Sequence, residues 1–257
     1  MRKLSVLALG AVAAFAMSTL ASAAPGGNGD GGPPLPPGAT QVSENVYYLG
    51  KKRVDGVELE GYAFVLRAKA HSAKGQGPTG GRKPGRGSCY QLIGYPAWTS
   101  AEPWYVNTSN APVSSMQSSM DAGIGAWESA SGADIFGSGS PDNSAHAYTT
   151  ADGKNVVEFG NAGGGGIVAV TYVWGSRRTA IFEWDMIFGS NWGWSNGGSS
   201  TTFDFLDVAT HELGHAAGLD HPANACTEET MYAYVDFGET KKRDLNVGDI
   251  DGINALY

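Results

Sequence analysis

Eleven residues, HELGHAAGLDH from His211 to His221, constrain this chain more than any other stretch. The chain holds five histidines, and three of them fall here. Residues 201–219 read as its strongest helix, with Phe205, Leu206, Val208, Ala209, Leu213, Ala216 and Ala217 as apolar surface and Gly218 as the stop. On that helix His211 and His215 lie four residues apart, so both side chains leave one face a single turn apart. That spacing lets two imidazole nitrogens approach one Zn²⁺ at about 2.0–2.1 Å. Gly218 permits positive φ and a reversal that carries His221 back as a third ligand. Three protein ligands leave a fourth position for water, the arrangement of a catalytic zinc site and not of a closed structural one. Glu212 follows the first ligand and points at that water, whose pKa zinc lowers to about 7, so the carboxylate can act as general base and then as general acid toward a leaving amine. At this chain's composition the chance expectation for the pattern is on the order of 10⁻⁵.

The rest of the chain supplies context. Arg2 and Lys3 precede an apolar run over residues 4–20, and Ala21, Ser22 and Ala23 form a small-residue cleavage site, so residues 1–23 read as an export signal and the protein as secreted. No later stretch is long and apolar enough to span a bilayer. Cys89 and Cys226 fit an exported protein with a single disulfide. Lys and Arg outnumber Asp and Glu nine to five over residues 24–88, whereas residues 89–257 carry six against twenty. So acidic a body excludes nucleic acid as a natural partner. The charge split suits solubility, or a basic N-terminal segment docking on an acidic catalytic body.

Residues 25–38 are Gly- and Pro-rich and read as a disordered leader. Residues 46–70 carry β-branched and aromatic runs around Asp55-Gly56, the signature of a hairpin with a type I′ turn. A basic Gly/Pro linker over residues 70–88 sets a domain boundary near Ser88. Beyond it the pattern is α+β: a strand at 104–109, a helix at 114–131 with Ser114 as N-cap, and strands at 155–160, 167–174 and 180–188. Met116, Met120, Ile124 and Trp127 form the buried stripe of that first helix. No internal repeat is visible.

HELGHAAGLDH resembles the zinc motif of the metzincin metalloproteases, H-E-x-x-H-x-x-G-x-x-H followed by a Met-turn, and Met231 in TMYAY stands where the Met-turn methionine falls. LNVGDIDGINALY resembles the C-terminal helix of matrixins, the matrix-metalloprotease-like branch, here in a secreted, prokaryotic-type form. IVAVTYVW resembles their substrate-binding edge strand, and FDFLDVATHELGH their active-site helix. The resemblance covers residues 89–257. It implies a twisted, mostly parallel five-stranded sheet with three helices, zinc in a cleft between upper and lower subdomains, and a peptide lying along an edge strand. Met231 would floor the metal without ligating it.

The chain departs from that family in several places. Only His146 remains in the catalytic body outside the motif, so a second, histidine-held zinc is not expected. Calcium would draw on loop carbonyls and on Asp142, Asp152, Glu183 or Asp185, although no spacing specifies a site. Cys89 lies in GRGSCYQ, without the pro-region cysteine-switch motif, which favours pairing with Cys226. Gly248 and Asp249 stand where matrixins often carry two adjacent acids, and Asn246 with Asp249 reads as a helix cap and its third-position partner. The expectation is a monomeric, secreted zinc endopeptidase acting on polypeptides, with residues 24–88 as leader, pro-segment and linker of a zymogen. The rivals are an extracellular adhesion module of the same fold and a zinc hydrolase of other substrates.

Overall fold

In a computed structural model describing residues 31–69 and 89–257, Asp55 and Gly56 both take positive φ, 48° and 83°. That is the backbone of a type I′ turn, whose twist matches the strands it joins. Strand β1 (Thr40–Ser43) pairs antiparallel with β2 (Val46–Val54), and the turn links β2 to β3 (Val57–Ala68) with Val54 opposite Val57. The export signal and the basic linker expected from sequence lie outside the described residues.

Downstream come β4 (Gln91–Leu92), β5 (Glu102–Asn107), α1 (Met116–Ser131), β6 (Phe136–Pro141), β7 (Asn155–Gly160), β8 (Ile167–Gly175) and β9 (Ile181–Gly189). They are followed by β10 (Trp194–Ser195), β11 (Phe203–Asp204), α2 (Phe205–Ala217), β12 (Leu219–Asp220), β13 (Tyr234–Val235) and α3 (Val247–Leu256). The three helices and the five-stranded, mostly parallel sheet are present. β6, β5, β7 and β9 run parallel, and β8 closes the group antiparallel to β9.

The sheet does not stop at β8. β3 pairs antiparallel along it from Glu60 opposite Gly175 to Arg67 opposite Ile167, and β13 adds in parallel at the end of β3. β8, read from sequence as an edge strand, is therefore flanked on both sides, and every one of its residues is buried. Its unbroken apolar run is what a strand covered on both faces requires. Alternate residues of β3 serve opposite faces: Phe64 and Leu66 enter the core beneath the helices, whereas Ala63 and Val65 join a second cluster with Tyr172 and Trp174. Of the expected disordered leader, residues 31–38 are ordered. Tyr172 is wholly buried, and its hydroxyl donates to the Pro34 carbonyl at 2.8 Å, which holds that segment against the sheet.

α1 buries Met116, Met120, Ile124 and Trp127 against its neighbours α2 and α3. Its cap position is Ser115 rather than Ser114, with no side-chain cap bond. α2 starts later than its apolar pattern suggested. Asp204, extended and paired with Ser195, caps it by accepting from the Asp207 amide at 3.0 Å. α3 begins with the expected capping box of Asn246 and Asp249.

Candidate active site

α2 is buried along nearly its whole length, and His211, Glu212 and His215 are fully inaccessible. Gly218 ends it at φ 114°, donating its amide to the Gly214 and His215 carbonyls. The chain then reverses into β12, which pairs with β4 and so anchors the returning segment. His221 arrives with its Nε2 3.1 Å from Nε2 of His215, and one nitrogen of each of the three histidines lies within 4.8 Å of the others.

The donor set fits zinc. Ligand bonds of 2.0–2.1 Å at a tetrahedral angle put neighbouring nitrogens about 3.3 Å apart. His211 Nδ1 donates to the Thr230 carbonyl at 2.6 Å and His215 Nδ1 to the Leu219 carbonyl at 2.8 Å, which leaves both Nε2 lone pairs facing inward. His211 Nε2 is buried and has no hydrogen-bond partner. Burial drives all three imidazoles well below their usual pKa, His215 to about 3, so the neutral, metal-binding form holds at pH 7.

Glu212 sits beside this trio. Its Oε2 accepts from the Thr171 hydroxyl of β8, while Oε1 is buried without a partner. Burial pushes its pKa up to about 8, against the opposing pull of the Thr171 bond and the Lys242 charge. Met231 packs against α2 at Gly214, between the two helical histidines. The turn carrying Met231 is held by side chains whose part the sequence did not reveal. Asp249 accepts from the Thr230 amide at 2.7 Å and the Met231 amide at 3.0 Å. Lys242, fully buried, donates to the Thr230 and Tyr232 carbonyls at 2.9 and 2.6 Å, and its own amide is held by Asp207. From sequence Asp249 was visible as a capping partner, and nothing singled out Lys242 within its Lys-Lys-Arg run. Cys89 and Cys226 are joined, with Cα atoms 5.6 Å apart.

Residues 106–257 match the sequence model of the Matrixin family. The chain belongs to the matrixin family. That family is one of zinc metalloendopeptidases. Human neutrophil collagenase and human matrilysin are each 37% identical over 73 residues, 28% of this chain and 15% and 26% of their own lengths. The Arabidopsis thaliana metalloendoproteinase 1-MMP is 40% identical over 62 residues, 24% of this chain and 16% of its own. The chain thus spans about a quarter or less of these curated matrixins.

Within this matrixin domain the other acids named from sequence divide. Asp152, Glu183 and Asp185 bring carboxylate oxygens within 4.8 Å of one another. Glu183 accepts from the Asp152 and Gly153 amides, and Asp185 from the Tyr148 and Val156 amides. Asp142 instead caps its own turn through Ser144. His146, outside the zinc motif, bonds Glu158 at 3.0 Å. Among the described residues no helix is long and apolar enough to cross a membrane.

Proposed function

We propose that this chain is a secreted, zinc-dependent endopeptidase in which His211, His215 and His221 hold the metal and Glu212 moves the proton. One observation carries the reading. Three neutral imidazoles converge at ligand spacing, and beside them stands a buried carboxylate with one oxygen fixed and the other unpaired. Zinc bound there supplies Lewis-acid chemistry, polarising a peptide carbonyl and acidifying a water. Thr171 orients Glu212 through Oε2. The charge of a bound zinc would draw the raised Glu212 pKa back down, so that the unpaired Oε1 would take the proton of the attacking water and deliver it to the amide nitrogen as the carbon–nitrogen bond breaks. Met231 keeps the floor of the site apolar, and the buried surroundings strengthen each of these electrostatic contacts.

In this reading residues 1–23 are an export signal, residues 24–88 a pro-segment, and residues 89–257 the catalytic domain of a monomer acting on polypeptides. Calcium, if used, would find its acids at Asp152, Glu183 and Asp185. The test is Glu212→Gln in the protein as secreted. The variant should keep about one zinc per chain and lose cleavage of unfolded casein by at least about 10²-fold, the lower bound for losing a general base. Full cleavage by the variant would refute the role of Glu212.

A further inference from the structure

One peptide unit beside the histidine trio is held at both of its poles. The unit joins Thr230 to Met231. At one end the Met231 amide donates to Asp249 Oδ1 at 3.0 Å, and at the other the Thr230 carbonyl accepts from Lys242 Nζ at 2.9 Å. A peptide carries a dipole of about 3.5 D, positive at its N–H and negative at its C=O. An acid at the first pole and an ammonium at the second hold it in a single sense, since turning the unit over would set like charge against like at each end. The same Thr230 carbonyl accepts the Nδ1 proton of His211 at 2.6 Å. That bond fixes the tautomer and the ring plane that present Nε2 to a metal.

Lys242 is wholly buried, a rare state for a lysine. Its Nζ has three donors, and three carbonyls meet it: Thr230, Tyr232 at 2.6 Å and, more distantly, Glu229 at 3.5 Å. All three belong to the turn that carries Met231, and the Tyr232 ring lies 5.5 Å from Nζ. The backbone of Lys242 is fixed as well. Its amide donates to Asp207 Oδ1 at 2.6 Å, and its carbonyl accepts from the Thr230 hydroxyl at 3.4 Å. Asp207 and His211 lie one turn apart on α2. The contacts therefore close a ring that leaves α2 at Asp207, passes through Lys242 and Thr230, and returns to α2 at His211. His215 is held differently, by the Leu219 carbonyl just beyond its own helix. Burying an ammonium is costly, and an apolar side chain of similar length would fill the same space without that cost. The charge has to be explained by what it holds.

We propose that Lys242 is the positioning residue for His211: its ammonium locks the Thr230 carbonyl, and through that carbonyl the imidazole, in the orientation that binds zinc. The inference rests on the zinc-site reading and deepens it by naming the group that fixes one of the three ligands. Lys242 touches neither the metal position nor Glu212, so it acts only through Thr230. Its effect is accordingly selective. Losing the charge frees His211 to turn, while His215 keeps its own acceptor and its own orientation.

Two measurements on the full chain test this. Loaded with Co²⁺ in place of zinc, the chain shows the Nδ1 protons of its metal-bound imidazoles as separate, strongly shifted NMR signals, whose exchange with water is timed one by one. Lys242→Met fills the space and removes the charge. In that variant the His211 proton should exchange at least about tenfold faster, while the His215 proton keeps its parent rate. Zinc affinity, read by competition with a chelator, should fall about 10–100-fold, the range for losing an outer partner of a ligand. An unchanged His211 rate overturns the proposal, because Lys242 then does not hold the carbonyl. Equal acceleration at both histidines overturns it too, because Lys242 then only stabilises the domain. Unaltered zinc affinity has the same force. Should Lys242→Met not fold, Lys242→Gln, neutral and one atom shorter, is read on the same two protons with the same deciding outcomes. Neither readout involves cleavage, so a chain that shows the selective loss but cuts no casein keeps this assignment and loses the peptidase reading. A parent chain that binds neither Co²⁺ nor zinc refutes the metal site and the inference with it.

Discussion

Replacing Gly214 with Ala sets two physical effects against each other at the centre of the site. Gly214 lies inside α2, where Ala is favoured by about 1 kcal/mol on helix propensity alone. Packing opposes it. A Cβ at this position would fall 2.2 Å from Met231 Sδ, 2.7 Å from Trp127 Cζ2 and 3.0 Å from Met231 Cε. Ordinary contacts between such atoms are about 3.5–4.0 Å, so something has to move by more than an ångström. Neither neighbour yields easily. Met231 is buried and its amide is tied to Asp249, while Trp127 is buried and its Nε1 donates to the Thr210 carbonyl at 2.8 Å. Overpacking costs about 1–3 kcal/mol; approaches this close put it in the upper part of that range, about 2–3 kcal/mol, which outweighs the propensity gain by about 1–2 kcal/mol. For a chain of this size that lowers Tm by about 2–8 °C. The displacement falls between His211 and His215, and a shift of about 1 Å in a catalytic constellation costs on the order of 10² in rate. Thermal unfolding and zinc competition with a chelator read both effects. An unchanged or raised Tm with unaltered zinc affinity would refute the packing argument.

Three further outcomes are expected. His221→Ala should lower zinc affinity by more than about 100-fold, the upper range for losing a mere hydrogen-bond partner of a ligand; elemental analysis showing one tightly held zinc per chain would count against His221. Removing both Cys89 and Cys226 as alanines frees a loop of sequence separation 137, worth up to about 5 kcal/mol in chain entropy, and an unmoved urea midpoint would contradict this. Asp249→Ala leaves the buried Thr230 and Met231 amides without their acceptor and should cost about 2–4 kcal/mol by denaturant unfolding, with weaker zinc binding because Thr230 also orients His211.

The convergence of the three histidines was legible because it is local. A helical period brings His211 and His215 to one face, and one glycine turns the chain back to His221. The strand at Asn155–Gly160 and the hairpin at Asp55-Gly56 were legible for the same reason, since pleat and turn chemistry act over a few residues. Thr171, Lys242 and Asp249 were not, because each acts on a segment that only the fold brings near. Asp249 read as a helix-cap partner, and the residue types of Thr171 and Lys242 carried no signal of their own. β8 gives the sharper lesson. A continuous apolar run is what burial on both faces requires, but it says nothing of which segment pairs along the strand's edges. The partner on its other edge comes from residues a hundred or more positions earlier in the chain.

The three histidines proposed to hold zinc do not share one mechanical support. Two ride on α2, while the third stands on an arm fastened twice to one short stretch, by β12 pairing with β4 and by Cys226 bonded to Cys89. Opening that arm would withdraw one ligand while the helix keeps its other two in place. Metal exchange then becomes a hinge motion, cheaper than unfolding the domain, and its rate is governed by the staple at the arm's far end. In a reducing medium the same fold would hold zinc with the same geometry but for a shorter time. Export, as proposed, would place the chain in oxidising surroundings that lengthen metal residence as well as stabilise the fold.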